Sequence, residues 1–391
     1  MAKDFMVKES ELDDIQREVL NQTLDKSCIV TGCAGSGKSV IALQKAKRIQ
    51  NEKGNDYKII VYTKALCDFM NGGKNQLGLN QRFYYHEEWK WKRVLKQYGR
   101  KGAFWVYERD ENGNKILDRS KADYIIVDEI QDFTKEEIQE FIDATKQHFF
   151  FFGDTGQSIY DGMLMANGQV KKTLPVENIR SMSPSSKEFP LYYNYRLPKP
   201  IAKITQDYIG VDVDQYGNGS VYKSLENKMP YFLRYSGLAE QIAAIARIIN
   251  RDSLVGILVP SNSMIPEISN LLNAEGVNHE IRFNDPEDWK QSKDTLDFST
   301  PNPKLMTYHS AKGLQFETVF IPEVADIQDP NQNAAKSEID RWKADRKALY
   351  VAMTRTYRDL YMMYSGILPK PLSNVPKELY QATEVETIED I

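Results

Sequence analysis

The sequence has few cysteines, no strong net charge and no long apolar run. Its three cysteines, Cys28, Cys33 and Cys67, lack the spacing of metal ligands, and their odd number is typical of a reducing compartment. The 51 basic and 55 acidic side chains give a net charge of −4, so a polyanion could be held only in a local groove. No stretch of 18 apolar residues occurs, and residues 1–5 lack the apolar core of a signal peptide. These absences predict a cytoplasmic protein with no membrane among its partners.

Two successive alternations of strands and helices account for most of the chain. The first contains four strands that are apolar on both faces, at 28–30, 58–62, 124–128 and 148–152. Such strands are typical of a parallel sheet covered by helices on each side. The second alternation has strands at 255–259, 304–308, 318–321 and 359–364. The pattern predicts an α/β protein with two parallel-sheet domains in tandem and a ligand cleft between them.

The composition also suggests where these domains end. We place the first domain at 1–190, with a small basic and aromatic insertion at 82–120, and the second domain at 191–366. Within the first domain, 164–190 is rich in Gly, Pro, Ser and Lys and predicts an irregular connection. Residues 367–391 are expected to form an acidic tail that is solvated or binds a partner, because the last eight residues carry four acids and no base.

Residues 32–39 read G-C-A-G-S-G-K-S, which matches the phosphate-loop pattern G-x-x-x-x-G-K-[ST]. An apolar strand precedes the loop and a helical pattern follows it, so its backbone N–H groups would converge on a phosphate at a helix N-terminus. Lys38 would reach the terminal phosphates, and the Ser39 hydroxyl would ligate Mg²⁺. The residues expected to surround the phosphates are Gly32, Ala34, Gly35, Ser36, Gly37, Lys38 and Ser39. The loop predicts binding of a nucleoside triphosphate.

Acidic and amide side chains follow the next strands. Asp128 ends a buried strand and would hold Mg²⁺ opposite Ser39, while Glu129 would polarise the attacking water. A solvent-facing acidic turn is the alternative. Gln157 follows the fourth strand, at 148–152, and is suited to sensing the γ-phosphate, because its amide both donates and accepts hydrogen bonds. Tyr160 is either a stacking platform for a nucleobase or a half-buried core aromatic.

Seven motifs in order give the chain a family resemblance. Gln16 comes first, and the remaining six motifs lie at 32–39, 128–132, 153–160, 193–196, 309–317 and 350–356. This ordered set resembles the superfamily 1 helicases of the UvrD/Rep type over roughly residues 12–360. The resemblance implies two RecA-like P-loop NTPase domains with ATP and Mg²⁺ bound between them. It also implies a motor on single-stranded nucleic acid, usually DNA, that moves 3′ to 5′.

The resemblance also implies roles for single residues. Gln16 would read the adenine edge, and Arg196 and Arg355 would reach the γ-phosphate across the cleft, with Arg355 as an arginine finger. Gly313 and Glu317 would couple the nucleotide to the nucleic-acid track, with Glu317 accepting from the ribose or a nearby backbone group. An ordinary surface ion pair is the alternative for either arginine.

Nucleic-acid contacts are predicted at Thr63, Tyr160 and His309, and in the basic and aromatic stretch at 82–105. The residues of that stretch expected to form a phosphate track with stacking surfaces are Trp89, Trp91, Lys92 and Arg93. The alternative is an amphipathic helix whose aromatic side chains pack inward. The turn signal Asn112-Gly113 predicts a hairpin over 105–117.

The chain departs from the family in its size. Only 89 positions separate Ser39 from Asp128, and the interval from Arg196 to His309 is filled by an ordinary α/β pattern, so the large accessory insertions have no room. The leading hypothesis is therefore a compact ATP-dependent translocase on single strands, with unwinding weak or partner-dependent. The alternative is a regulatory ATPase subunit that switches a partner such as a nuclease in DNA repair or anti-phage defence. A small-molecule kinase would not need the later arginine motifs.

Overall fold

The computed structural model describes residues 11–89, 97–101, 104–107, 111, 121–163, 170–211, 221–222, 224, 226–249, 254–285 and 288–384. The helices are α1 (Asp14–Asn21), α2 (Lys38–Lys53), α3 (Lys64–Leu77), α4 (Lys135–Ala144), α5 (Val176–Ile179), α6 (Lys199–Ile204), α7 (Leu238–Ile248), α8 (Ile265–Ala274) and α9 (Lys336–Met353). Within these ranges, no helix is both long enough and apolar enough to span a membrane.

Six parallel strands form the sheet of the first domain. They are β1 (Cys28–Gly32), β2 (Tyr57–Val61), β3 (Phe83–Tyr85), β6 (Ala122–Val127), β7 (Thr145–Gly153) and β8 (Lys187–Leu191), in the order β3-β2-β6-β7-β1-β8. The central strands bury both faces, as continuous apolar runs such as Phe149–Phe152 require. The carboxyl ends of β1 and β6 therefore meet at one edge of this sheet.

Eight strands form the sheet of the second domain. They are β11 (Tyr231–Tyr235), β12 (Val255–Val259), β13 (Glu280–Phe283), β14 (Lys293–Asp294), β15 (Lys304–Thr307), β16 (Phe316–Ile321), β17 (Thr356–Ser365) and β18 (Gln381–Glu384). Their order is β14-β13-β15-β12-β16-β17-β11-β18, and every pair is parallel except β13 with β14. Two further strand pairs join β4 (Gln97–Lys101) to β5 (Phe104–Tyr107) and β9 (Tyr193–Asn194) to β10 (Val221–Tyr222). The predicted α/β architecture with two tandem sheets is confirmed.

Two local predictions differ from the structure. The stretch 164–190 is not wholly irregular, because it contributes α5 and most of β8, which pairs with β1. The stretch predicted as a tail is part of the second domain as far as Glu384, since β18 pairs with β11 and Leu372 is fully buried. The turn of the hairpin predicted over 105–117 lies outside the described residues, and β5 pairs with the preceding strand β4.

Candidate active site

A cavity of about 310 Å³ lies between the two domains, at the edge where β1 and β6 end. The residues lining it that the sequence predicted for nucleotide chemistry are Gln16, Ala34, Gly35, Ser36, Gly37, Lys38, Ser39, Glu129, Gln157, Arg196, Gly313 and Arg355. Gly32 and Asp128 do not line the cavity themselves, but they are hydrogen-bonded to lining residues, Gly32 to Lys38 and Asp128 to Ser39. The structure thus brings together residues from both domains around one space of a size suited to a nucleotide.

The phosphate loop has the backbone that its glycines permit. Gly35 and Gly37 lie in the left-handed region, with φ of +81° and +87°, where a side chain would be strained. Gly37 precedes α2, so the loop delivers its N–H groups to a helix N-terminus. The Lys38 ammonium donates to the carbonyls of Gly32 (2.7 Å) and Cys33 (3.0 Å), and is held beside the loop by these bonds.

Ser39 and Asp128 form the pair that would hold a metal. The Ser39 hydroxyl donates to Asp128 Oδ2 at 2.6 Å, so both oxygens face one point beside the phosphate loop. Burial and the neighbouring Glu129 raise the pKa of Asp128 to about 6, and Ser39 and Lys38 oppose that rise. In the described ranges, no group of three or more His, Cys, Asp or Glu side chains could hold a metal. A hydroxyl and one carboxylate fit Mg²⁺ that takes its other ligands from phosphate and water.

Glu129 is held in a strained conformation next to this pair. Its φ of +57° is unusual for a residue with a side chain, and strain of this kind concentrates at functional sites. Its backbone N–H donates to Asp128 Oδ1 at 3.0 Å. Burial acts to raise the pKa of Glu129, but Lys312, Lys38 and Arg355 outweigh it, and the net pKa lies below the ordinary value. Glu129 is therefore an ionised carboxylate at neutral pH, as a group that accepts a proton from water requires.

Gln157 and Arg355 join the two domains across the cavity. The Arg355 guanidinium donates to Gln157 Oε1 at 2.7 Å, and Gln157 Nε2 donates to Asp154 Oδ2 at 2.6 Å. Arg355 also donates to the carbonyl of Val351 at 2.9 Å, which fixes its direction. The side chain is almost fully buried, so this arginine is not the surface ion pair that was the alternative.

Arg196 adds a second cation to the same wall. Its guanidinium donates to the carbonyl of Thr354 at 2.8 Å, whereas its Nε is buried and has no hydrogen-bond partner in the part of the chain that the structure describes. Burial and the neighbouring Arg355 lower the pKa of Arg196 to about 9. The buried guanidinium of Arg355 and the half-buried guanidinium of Arg196, which lie beside each other on this wall, favour an anion between them. This observation fits a terminal phosphate.

Lys312 is a site residue whose role the sequence did not predict. Its ammonium lies 2.6 Å from Asp132 Oδ1, contacts the backbone carbonyl of Gln157 and lies 3.9 Å from a carboxylate oxygen of Glu129. Burial raises the pKa of Asp132 to about 7, although Lys312 opposes that rise. Asp132 lies in the motif at 128–132 and Lys312 in the motif at 309–317, so the sequence marked both segments as functional. Only the fold shows that the two residues form a buried ion pair between the domains.

Gln16 and Glu317, which were both predicted to act near the nucleotide, are held by contacts within the protein. Gln16 lines the cavity, but its amide donates to the carbonyl of Ser36 at 2.8 Å and accepts from the N–H of Asp13 at 3.0 Å. Glu317 is not among the cavity residues, because its carboxylate pairs with Arg358, and Gln315 lines the cavity instead. The structure therefore does not bring Glu317 to the nucleotide.

A second cavity, of about 640 Å³, forms a groove between the domains and contains three predicted nucleic-acid residues. Thr63 and Tyr160 line it from the first domain, and His309 from the second. The Tyr160 hydroxyl donates to the carbonyl of His309 at 3.0 Å, and its ring lies 4.4 Å from that of Tyr62. The groove thus joins aromatic and polar side chains of both domains.

The prediction that Trp89 contributes to a phosphate track is wrong. Its side chain is buried in the core of the first domain, with its ring 4.9 Å from that of Phe141. The inward-packing alternative holds for this residue, because a buried indole offers no face to a nucleobase. The predicted contacts at Trp91, Lys92 and Arg93 lie outside the described residues.

Comparison with known proteins agrees with this geometry. The AAA domain family matches residues 16–163, and the UvrD-like helicase C-terminal domain family matches residues 288–366. The chain is UvrD/Rep-like, of helicase superfamily 1. The two matched segments contain most of the cavity lining, with Arg196 between them, and the fold is that of two tandem RecA-like domains.

The UvrD/Rep-like chain is also similar to curated helicases over parts of their length. It is 36% identical over 90 residues to the ATP-dependent DNA helicase PcrA of Staphylococcus aureus, covering 22% of this chain and 12% of PcrA. It is 23% identical over 253 residues to a probable DNA helicase of Mycoplasma pneumoniae, covering 61% of this chain and 43% of that protein. The chain therefore spans less than half the length of either relative. A solved C-terminal domain of a possible DNA helicase from Lactobacillus plantarum matches at 18% identity over 49% of this chain and 99% of that chain, with a TM-score of only 0.33.

Proposed function

We propose that the protein is an ATP-dependent translocase on single-stranded nucleic acid, with DNA as the substrate and 3′ to 5′ as the direction. It would hydrolyse ATP with Mg²⁺ in the cavity between its two RecA-like domains, in the cytoplasm. One observation carries the proposal: the phosphate loop and Glu129 of the first domain face two arginines, Arg196 and Arg355, across a single cavity. A triphosphate is the ligand that uses both walls at once.

The residues present suit hydrolysis of the γ-phosphate. Glu129 accepts a proton from water as the water oxygen bonds to the γ-phosphorus, and the bond from that phosphorus to the β–γ bridging oxygen breaks. Lys38 exchanges its two loop carbonyls for phosphate oxygens, and Arg355 stabilises the charge that develops on the transferred group. Ser39 and Asp128 would hold Mg²⁺, which would supply positive charge to neutralise the phosphates.

Short segments link this cavity to the groove. Residues 157–160 carry Gln157 at the cavity and Tyr160 in the groove, and residues 309–313 carry His309 in the groove and Gly313 at the cavity. A change at the γ-phosphate therefore has a path of three or four residues to the strand-binding side. This proximity supports coupling of hydrolysis to movement along a strand.

ATPase rates with and without nucleic acid test the proposal. We expect single-stranded DNA to stimulate the wild type steeply and in a salt-sensitive manner, with duplex DNA and RNA as comparison arms. Lys38→Ala should remove hydrolysis in every arm, which controls for a contaminating ATPase. Absence of stimulation by every nucleic acid would refute the translocase. Displacement of streptavidin from the 3′ or the 5′ end of a strand then tests the direction.

A regulatory ATPase subunit is the second candidate, and the short interval between Arg196 and His309 favours it. The span from Arg196 to His309 consists mainly of α6, α7, α8 and the strands β11 to β15, which leaves no room for a large accessory domain that could hold a duplex. A subunit of this kind would act on a partner such as a nuclease in DNA repair or anti-phage defence. Co-purification with a nuclease, together with hydrolysis that only the partner restores, would favour this candidate over a lone motor.

A further inference from the structure

Three charged side chains meet where the groove crosses from one domain to the other. Lys64 begins α3 of the first domain, and its ammonium lies 3.0 Å from Asp294 Oδ2. Arg282, in β13 of the second domain, lies 3.2 Å from the same oxygen. One carboxylate thus pairs with two cations that belong to different domains.

These two cations are the positive charges of the groove. The described residues that line the groove include one lysine, Lys64, one arginine, Arg282, and no aspartate or glutamate. The Arg282 side chain is about nine-tenths buried, while Lys64 is about half exposed. Thr63 lies beside them, and its hydroxyl accepts from the N–H of Leu66 at the N-terminus of α3, where the helix adds positive potential. An anion bound in the groove would therefore contact the groove's positive charge at this point.

The pairing with Asp294 removes much of that charge. Guanidinium and ammonium groups bind carboxylate and phosphate oxygens through the same N–H donors, so a phosphate at this point has to compete with Asp294. Asp68, one turn further along α3, also faces the two cations; burial raises its pKa, and Lys64 and Arg282 partly oppose that rise. The carboxylate in contact with both cations is nevertheless Asp294.

We propose that Lys64 and Arg282 form a subsite for a backbone phosphate of the bound single strand, and that Asp294 is a built-in competitor for this subsite. The inference rests on the proposed function and adds a regulatory element to the same groove. The phosphate of DNA and that of RNA present the same chemistry here, so the subsite binds the backbone and does not select the sugar.

Asp294 also connects strand binding to the contact between the two domains. The ion pair of Lys64 with Asp294 crosses the domain boundary, and four residues further along Phe298 packs edge-on against Phe69 of α3, with ring centroids 5.1 Å apart. Phe69 in turn lines the nucleotide cavity. A phosphate that takes Lys64 from Asp294 therefore loosens a link that ends beside the nucleotide.

Equilibrium binding of fluorescent dT15 and rU15 oligonucleotides, followed by anisotropy at low salt, tests the inference. Asp294→Asn removes the competing charge at nearly constant volume, and should tighten binding of both oligonucleotides by about 3- to 10-fold. The gain should shrink as salt is added, because exposed charges are screened. Asp288→Asn is the matched control, since it makes the same change of net charge in the same segment, where the Asp288 carboxylate accepts from the backbone N–H of Lys290 and from the amide of Gln291.

The double variant Lys64→Ala/Asp294→Asn separates the subsite from a general charge effect. It should lose most of the gain of Asp294→Asn, because one of the two phosphate ligands is then absent. If Asp294→Asn binds no more tightly than Asp288→Asn while the wild type binds normally, the competitor role is refuted and the proposed function stands. If neither the wild type nor any variant binds either oligonucleotide, the single-strand function fails and the subsite fails with it.

Discussion

Gly313 offers a sharp test of how the two domains meet. Its φ is +80°, and a Cβ at this position would lie 2.5 Å from Cδ2 of Leu66, a buried residue of α3 in the other domain. In Gly313→Ala the left-handed backbone costs about 1 kcal/mol, and the steric overlap costs about 1–3 kcal/mol more. Because the overlap crosses the domain boundary, the protein can relieve it by separating the domains. We therefore expect the ATPase kcat to fall by about 5- to 150-fold.

A second variant distinguishes overlap from backbone strain. Leu66→Val lacks both δ-methyl groups, so kcat of Leu66→Val/Gly313→Ala should return to within about 3-fold of that of Leu66→Val alone. The backbone strain should persist as a loss of about 1 kcal/mol in the free energy of urea unfolding. An equal loss of kcat with Leu66 and with valine would mean that this pair does not meet when ATP is hydrolysed. That result would refute the closed arrangement described here.

Three further predictions concern the chemistry, the pH dependence and the core. Arg355→Lys should lower kcat by at least about 10³-fold while fluorescent-nucleotide binding changes little, and a fall of less than about 10-fold would contradict its role as an arginine finger. Because burial raises the pKa of Asp128 to about 6, kcat/KM should decline as the pH falls through about 6, where protonation removes a metal ligand. More Mg²⁺ should move this limb to lower pH in a pH–rate profile, and a limb that ignores Mg²⁺ would assign it to another group. Trp89→Ala should lower the free energy of unfolding by about 3–5 kcal/mol in urea titrations and leave single-strand affinity unchanged; weaker binding by the folded variant would restore a nucleic-acid role.

Local sequence is sufficient where the chemistry is local. The phosphate loop was predictable because Gly35 and Gly37 have to be glycine for a left-handed backbone, and because the residues around them form one strand–loop–helix unit. Asp128 was predictable because a carboxylate after a buried strand emerges at the edge of the sheet. Both features depend on fewer than about ten residues of continuous chain.

Sequence is insufficient where the partner is distant. Lys312 and Asp132 are 180 positions apart, so their buried ion pair follows only from the packing of the two domains. Trp89 sits in a basic and aromatic stretch typical of a nucleic-acid track, and only the position of Phe141 shows that the indole faces the core. Gln315 and Glu317 are two positions apart, at the start of β16. Only the position of Arg358, which pairs with Glu317, shows that Gln315 and not Glu317 lines the cavity.

The charges around the cavity give a physical reason why its two walls would respond to a triphosphate. Burial lowers the pKa of both Arg196 and Arg355, and the charge of Arg355 adds to the effect on Arg196, so bringing these cations together is unfavourable by itself. A γ-phosphate places negative charge between them and the Lys38 ammonium, which converts a repulsive contact into an attractive one. Hydrolysis and release of phosphate remove that charge again. On the proposed function, the free energy of domain closure would therefore depend on the third phosphate, and the groove that both domains build would change with it.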